Sequence, residues 1–468
     1  MGRIRMKEAR IGIVGLGYVG LPLALAFAHN GFTTVGLEVD ESKARSLNQG
    51  RSYLGDISDA EVAQELISER FRATTDASVL QECDCIIICV PTPLSRTNDP
   101  DLSFIQSATE TVKEHLRAGR LVVLESTTYP GCTDELVLVE LEQTGLKLDR
   151  DFLLAFSPER IDPGNTSYKT VDIPRIVGGC SADSTAAAAE LYAQAVPNVH
   201  IVSSARVAET AKLLENTFRA VNIGLVNEMA LMCYRMNIDI WEVIEAAKTK
   251  PYGFMPFYPG PGIGGHCIPL DPAYLSWRGR QFGFESRFID LAEGVNASMP
   301  GYVVQLVADA LNSQGKPLNG ARVVVLGVAY KKDVADLRES PALEIIQDLR
   351  AKKANVAYHD PFVSKVDFSH AAAKLRREMM YGGAERRAEQ TSRIPGSDGT
   401  YGRRSADTLY SVPLANELLA QSDCVVIVTD HSSIDYERIV QTASLVVDTR
   451  HAITEDLRRR SSAQIVRL

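Results

Sequence analysis

ARIGIVGLGYVGLPLALAFAHNGFTTVGLEVD, residues 9–40, decides the fold of the first part of this chain. ARIGIVG has the short apolar run of a buried strand, and YVGLPLALAFAHNG has helical spacing and stops at a glycine. TTVGLEVD then returns to a strand pattern. Gly15, Gly17 and Gly20 stand at the turn from strand to helix as G-x-G-x-x-G, and Glu38 closes the second strand. Alone the glycine motif is weak. Placed between a strand and a helix and answered by an acid, it reads as a dinucleotide site. The glycines permit a tight turn and close backbone approach, and the helix N-terminus faces the pyrophosphate. Glu38 can accept hydrogen bonds from ribose hydroxyls and would repel a 2′-phosphate, so NAD is expected over NADP.

Working outward, CDCIIICV (83–90), RLVVLEST (120–127) and DFLLAFSP (151–158) continue the strands, with helical stretches such as 101–119 between them. Alternation of this kind predicts a doubly wound parallel sheet over residues 1–205. Residues 206–315 change character. ARVAETAKLLENTFRAVNIGLVNEMALMCYRMN (205–237) has helical spacing throughout and is too long for one surface helix. An all-helical middle of this kind predicts a subunit interface, hence a homodimer or larger homo-oligomer. A second Rossmann-like α/β series over 316–468 runs through ARVVVLGVAY, PALEIIQDLRAKKANVAYHDP, SDCVVIVTD and ASLVVDTR. It keeps only Gly327 of the glycine signature. Within it, about 368–405 is rich in Arg, Gly and Ser and reads as an exposed, partly disordered insertion.

The totals bound the function. A chain of 468 residues accommodates two or three domains, and 45% apolar with 23% charged residues is ordinary for a globular protein. No apolar run reaches about 18 residues, so no membrane span is expected. MGRIRMKEARIGIVG enters a strand pattern directly, without a signal-peptide core. A net charge of −9 argues against nucleic acid or an anionic membrane as the main partner. Cys83, Cys85 and Cys89 have C-x-C-x3-C spacing inside an apolar run and lack paired zinc knuckles, so no metal site is expected. With Cys132, Cys180, Cys233 and Cys424 they read as structural thiols in a reducing, cytoplasmic setting.

Cys267 is the exception. It lies in PGPGIGGHCIPLDP (259–272), too rich in glycine and proline for helix or strand, with His266 beside it and Asp271 four residues on. A loop thiol near a hydride-accepting cofactor suggests more than alcohol oxidation, because a thiolate can capture an aldehyde covalently.

GLGYVGLPLA, VPTP, ESTTYPG, FSPERIDPGN, AETAKLLENTFRAVNI, GPGIGGHCIPLDP and GVAYKKDVADLRESPA, in that order, make the chain resemble the UDP-glucose/GDP-mannose dehydrogenase family over nearly its full length. The resemblance implies a four-electron oxidation at C6 of a nucleotide-sugar, from alcohol to carboxylate, with two NAD⁺ used in turn. Carried onto this sequence, it makes Cys267 the thiol that forms a thiohemiacetal and then a thioester. Lys212 and Asn216, one turn apart on a helix face, become the oxyanion stabilisers; as a bare sequence feature Lys212 has a solvated helix lysine as its weaker alternative reading. Asp271 and Thr127 resemble the pair that holds a water for proton transfer, and Glu159 the carboxylate that assists thioester hydrolysis. Tyr18, Val19, Lys43, Pro91, Thr92, Thr127 and Arg338 match further NAD contacts. Tyr258, Gly260, Gly262 and Gly264 resemble the loop that wraps the nucleotide-sugar, with the glycines expected to let the backbone approach it. Tyr330, Lys331 and Arg450 resemble residues reaching the diphosphate and sugar. Family members acting on UDP-glucose usually carry a serine before the cysteine and PEFLxEG where this chain reads PERIDPG. His266, Arg160 and Pro163 at those places resemble the branch that oxidises UDP-N-acetylhexosamines, UDP-N-acetylglucosamine first. UDP-glucose is the runner-up, and UDP-N-acetylmannosamine or UDP-N-acetylgalactosamine are other options. A non-catalytic sensor would have no use for Cys267, Lys212 and Asp271 together, and a short-chain or 2-hydroxy-acid dehydrogenase would have none for the cysteine loop.

Overall fold

The computed structural model describes residues 1–55, 57–95, 99–160, 173–368 and 408–468. Pro163 and all but the first residue of the Arg-rich 368–405 segment lie outside them. The chain divides into two compact units, one of residues 1–220 with 267–290, the other of 221–266 with 291–468. Its helices include α1 (Gly20–His29), α2 (Ala205–Arg235), α3 (Asp271–Gln281), α4 (Arg287–Ser313) and α5 (Pro341–Ala351).

The first unit holds β1 (Arg10–Val14), β2 (Thr33–Leu37), β3 (Phe71–Thr74), β4 (Cys85–Ile88), β5 (Arg120–Leu124), β6 (Phe152–Phe156), β7 (Arg175–Gly179) and β8 (Val199–Ile201). They form one sheet in the order β3-β2-β1-β4-β5-β6-β7-β8. Every pair is parallel except β6 with β7, where Phe156 faces Gly178 and Ala155 faces Gly179. Strand order reverses at β1, which pairs with both β2 and β4, and sheets of this kind bind ligands at such a reversal. The continuous CIII run of β4 follows from burial on both faces. Cys85 and Ile87 pack into the core that holds Phe27, while Ile86 and Ile88 pack into the one that holds Ile105 and Val112. Burying each such side chain stabilises by roughly 1.5–3 kcal/mol, so a charge at Ile87 would break the strand. All eight cysteines are free; burial pushes the Cys83 and Cys85 thiols up to about 12, the signature of structural thiols.

The second unit holds β9 (Arg322–Leu326), β10 (Asn355–His359), β11 (Lys365–Asp367), β12 (Thr408–Tyr410), β13 (Cys424–Ile427), β14 (Leu445–Asp448) and β15 (Gln464–Arg467). Five of these form an all-parallel sheet in the order β10-β9-β13-β14-β15, and β11 pairs antiparallel with β12. Alternation serves two cores again, Val323 and Val325 on one face, Val324 and Leu326 on the other. The chain is thus α/β with one all-parallel sheet, one parallel but for the β6–β7 step, and a helical stretch between their strands.

That stretch departs from expectation in one respect. Residues 205–235 form a single helix of 31 residues, and the boundary between units falls inside it, after Ala220. A helix this long is stable because different turns bury side chains in different cores: Ala208 and Leu213 in that of the first unit, Ala230 and Cys233 in a cluster with Trp241 in the second.

Candidate active site

At the end of β1 the chain turns through Gly15 at φ 91°. A Cβ there would lie 2.7 Å from the Cys89 carbonyl oxygen, and one at Gly20 would lie 1.8 Å from that of Gly15. Both positions therefore require glycine. Gly17 is different: an added Cβ meets nothing within 4 Å. The protein leaves space beside Gly17, next to the N-terminus of α1 and the exposed Tyr18 and half-buried Val19. Glu38 is buried, and its carboxylate accepts the Leu16 and Asp40 N–H groups at 3.2 Å each. These residues fit a dinucleotide: an open glycine, a helix start, and an acid at the end of the second strand.

Tyr53, which lies outside the sequence motifs, completes this edge. Its hydroxyl donates to the Leu16 carbonyl at 2.5 Å and its ring lies 5.4 Å from the Lys43 ammonium. Pro91 is exposed and Thr92 buried in the loop after β4, whose Val90 N–H donates to Ser126 Oγ at 2.9 Å.

Cys267 is exposed, unlike any other cysteine. Its carbonyl accepts the N–H groups of Leu270 (3.2 Å) and Asp271 (2.9 Å), so the thiol stands on the turn that opens α3. Pro272 suits that position, because a helix start leaves its first N–H groups unused anyway. α3 is seated on the strand-end loops of the same sheet. The Tyr274 hydroxyl donates to the Pro93 carbonyl at 3.2 Å, Arg278 Nε donates to that of Pro130 at 3.0 Å, and Trp277 packs on Tyr129. Thr127 lies half-exposed in that Tyr129 loop. α2 is held there too, since buried Glu209 accepts Gly131 N–H at 2.6 Å and Thr133 N–H at 2.9 Å.

One and two turns beyond Glu209, Lys212 and Asn216 are buried beside Asp271. Asn216 Nδ2 donates to Asp271 Oδ2 at 2.5 Å. Burial pushes the Asp271 carboxyl up to about 6; the Lys212 charge and the Asn216 hydrogen bond work against that without cancelling it. A carboxyl tuned towards neutrality between an ammonium and an amide donor can take and return a proton at working pH, which a solvated helix lysine and a surface acid could not do.

Glu159 lies after β6. Its Oε1 accepts the Arg160 N–H at 2.7 Å and its Oε2 pairs with Arg175 Nη1 at 2.6 Å. The Arg160 guanidinium is itself held, by Glu215 at 2.6 and 3.2 Å and by the Pro174 carbonyl at 2.7 Å. Arg175 stands outside the quoted motifs, and Glu215, though inside AETAKLLENTFRAVNI, received no role there; their pairings emerge from the fold.

In the second unit, residues 258–265 pack against protein. A Cβ at Gly260 would lie 2.7 Å from Arg450 Nη1; one at Gly264 would lie 2.7 Å from Tyr330 Cβ. Gly262, at φ 132°, lies against Pro341 and Pro300. Gly260 and Gly264 thus admit the side chains of Arg450 and Tyr330 close to the backbone of this loop. Gly260 N–H donates to Asn227 Oδ1 at 2.9 Å, and Tyr258 stacks on Trp241 at 5.7 Å. Tyr330 N–H donates to the Asp336 carbonyl at 2.9 Å, and half-exposed Lys331 follows it. Arg338 pairs with Asp336 through its guanidinium, and its carbonyl accepts Gly265 N–H at 2.9 Å. Burial and the Arg338 charge hold His266 below its ordinary pKa.

Three domain descriptions match in order: the NAD-binding domain of the UDP-glucose/GDP-mannose dehydrogenase family over residues 9–196, its central domain over 206–298 and its UDP-binding domain over 324–455. The chain is 36% identical over 367 residues to a UDP-N-acetyl-D-glucosamine 6-dehydrogenase of Pseudomonas aeruginosa, covering 78% of this chain and 86% of that one. It is 37% identical over 356 residues to a UDP-N-acetyl-D-mannosamine dehydrogenase of Pyrococcus horikoshii, covering 76% and 84%. Among solved structures, a UDP-D-ManNAc dehydrogenase from Pyrococcus horikoshii superposes with a TM-score of 0.81 at 32% identity, covering 95% of this chain and 96% of that chain. A UDP-glucose dehydrogenase from Pyrobaculum islandicum gives 0.80 at 27% identity, covering 98% and 97%.

Proposed function

Because the chain belongs to the UDP-glucose/GDP-mannose dehydrogenase family, we propose that it oxidises C6 of a UDP-N-acetylhexosamine, UDP-N-acetyl-D-glucosamine first, to the uronic acid. It is a NAD-dependent nucleotide-sugar dehydrogenase. NAD⁺, when bound, supplies the hydride acceptor; Gly15, Gly17, Gly20 and Glu38 would hold it, with Tyr18, Val19, Lys43, Pro91, Thr92, Thr127 and Arg338 as further contacts. The observation that carries the reading is an exposed thiol opening a helix whose first residue is buried with an ammonium and an amide.

In this reading Cys267 adds to the C6 aldehyde, and Lys212 and Asn216 stabilise the oxygen as it gains negative charge. Asp271 and Thr127 move the proton through a water, and Glu159 assists water in cleaving the thioester. Tyr258, Tyr330, Lys331 and Arg450 bind the nucleotide-sugar. The working division is 1–205 for NAD, 206–315 for association and the cysteine loop, and 316–468 for UDP.

The N-acetyl preference rests on two side chains. His266, held neutral, offers one donor and one acceptor, the pair an amide needs. Arg160, braced by Glu215 and Pro174, keeps an N–H on each terminal nitrogen for a ligand. Plain glucose would leave such groups unpaired at roughly 1–3 kcal/mol, so kcat/KM should favour UDP-N-acetylglucosamine over UDP-glucose by about 10- to 100-fold. A panel of UDP-sugars tests this; equal values would overturn the preference and leave the dehydrogenase standing.

Association as at least a dimer is part of the same reading. Leu214, Phe218, Leu225 and Met232 are exposed along α2 at four- and seven-residue spacing, an apolar stripe that a second copy would cover. Among the described residues no helix is long and apolar enough to cross a membrane.

A further inference from the structure

The charged cluster behind Glu159 is more elaborate than packing requires. Arg175 is the first residue of β7, and its guanidinium is buried, with 7% of the side chain exposed. It pairs with Glu159 on one side and with fully buried Glu125 on the other. Its Nε donates to Ser157 Oγ at 3.1 Å and its guanidinium lies 5.0 Å from the ring of Tyr192. The Tyr192 hydroxyl donates to Glu125, and Cys89 Sγ lies 3.8 Å from the other Glu125 oxygen.

The antiparallel step of the sheet explains how Arg175 arrives there. Phe156 faces Gly178, so continuing the register past the end of β6 carries Glu159 opposite Arg175. A parallel β7 would put its first residue at the other end of the sheet. A buried ion triad is a poor way to gain stability, since apolar residues of the same volume often do as well or better. We propose that Arg175 is the positioning residue for Glu159, holding its carboxylate ionised and fixed in orientation while Glu125 shares the guanidinium charge. The proposal rests on the reading of Glu159 as the carboxylate that assists thioester hydrolysis. In that step water adds to the thioester carbonyl, a water proton passes to Glu159, the C–S bond breaks, and Cys267 leaves as thiolate.

Among the described residues, the titratable groups that face Glu159 and Arg175 include Glu125, Tyr192, Cys89, Arg160 and, through Arg160, Glu215. Removing the cation raises the pKa of Glu159 and slows hydrolysis alone. In full-length Arg175→Met, quenched turnover should show a sugar–Cys267 adduct by mass spectrometry. The acid limb of kcat should move to higher pH by about one pH unit or more, and Arg175→Lys should bring it part of the way back. Glu125→Gln, which leaves the guanidinium wholly to Glu159, should move the limb the other way and covers the case in which Arg175→Met does not fold. Loss of turnover with an unmoved limb and no adduct in Arg175→Met, or an unmoved limb in Glu125→Gln, would overturn the proposal. Glu159→Gln separates the two failures: full turnover there removes Glu159 from the reaction itself, whereas adduct accumulation there with an unmoved limb in the Arg175 variants overturns only the positioning role.

Discussion

At the end of β1, Gly15 turns the chain at φ 91° beside the Cys89 carbonyl; at the end of β9, Gly327 turns it at φ 80° beside that of Thr429. Each glycine sits where its sheet order reverses, and each second strand is followed by an acid, Glu38 in one unit and Asp360 in the other. What the acids bind differs. Glu38 takes the amides of Leu16 and Asp40, and next to it Gly17 is exposed with open space at its Cβ. Asp360 takes the successive amides of Val328 and Ala329, those of Phe362 and Val363, and a hydrogen bond from His431 Nε2. Ala329, at the place of Gly17, is fully buried. Burial works against ionisation of Asp360, but its hydrogen bonds from His431 and the amides hold the carboxyl below its usual range. Both loops commit the amide after the glycine to their own acid, Leu16 to Glu38 and Val328 to Asp360; the second loop also commits the next one, at Ala329, where the first has exposed Gly17. A strand–glycine–helix turn makes a dinucleotide site only when the protein leaves its amides to the ligand.

The largest effect tests where the chemistry lies. Cys267→Ala should lower turnover by about a thousandfold or more while leaving NAD⁺ affinity, which we assign to the glycine turn after β1, unchanged. Retained four-electron turnover would remove the thiol from the mechanism. Next, Gly327→Ala should destabilise by roughly 2–4 kcal/mol, because a Cβ there is strained by φ and would lie 2.4 Å from the Thr429 carbonyl oxygen. An unchanged unfolding midpoint would mean that the second turn is as open as the first. Gly17→Val should do the reverse, unfolding like the wild type but binding NAD⁺ about 100-fold more weakly. Loss of stability with unchanged affinity would break the comparison.

Asp271→Asn gives an effect with a defined sign. A carboxyl whose folded-state pKa is raised costs stability when ionised. The cost is absent below about 3.8, grows up to about 6, and is fully present above that. The variant should match wild-type stability near pH 4 and exceed it at pH 7–8 by up to about 3 kcal/mol, with lower activity. A stability difference that does not vary with pH would contradict the buried-carboxyl reading.

Much of this was legible in the sequence because it follows from local pattern. The βαβ turn, the CIII strand and the second α/β series depend on residues near in sequence, and so does placing Lys212 one turn before Asn216. The Cys267 loop stood out because its composition fits no regular element. What was not legible comes from pairings across distant segments. Arg175 reaches Glu159 only because β7 runs antiparallel to β6, and nothing in DIPRIVGG announces that. Tyr53 reaches Leu16 across 37 positions, and Glu209 reaches Gly131 across 78.

The central claim is that a single site oxidises C6 twice, and the NADH formed per UDP-N-acetylglucosamine at completion tests it most directly. The account predicts two NADH per sugar and the uronic acid as product, whereas one NADH with free aldehyde, or none, would contradict it.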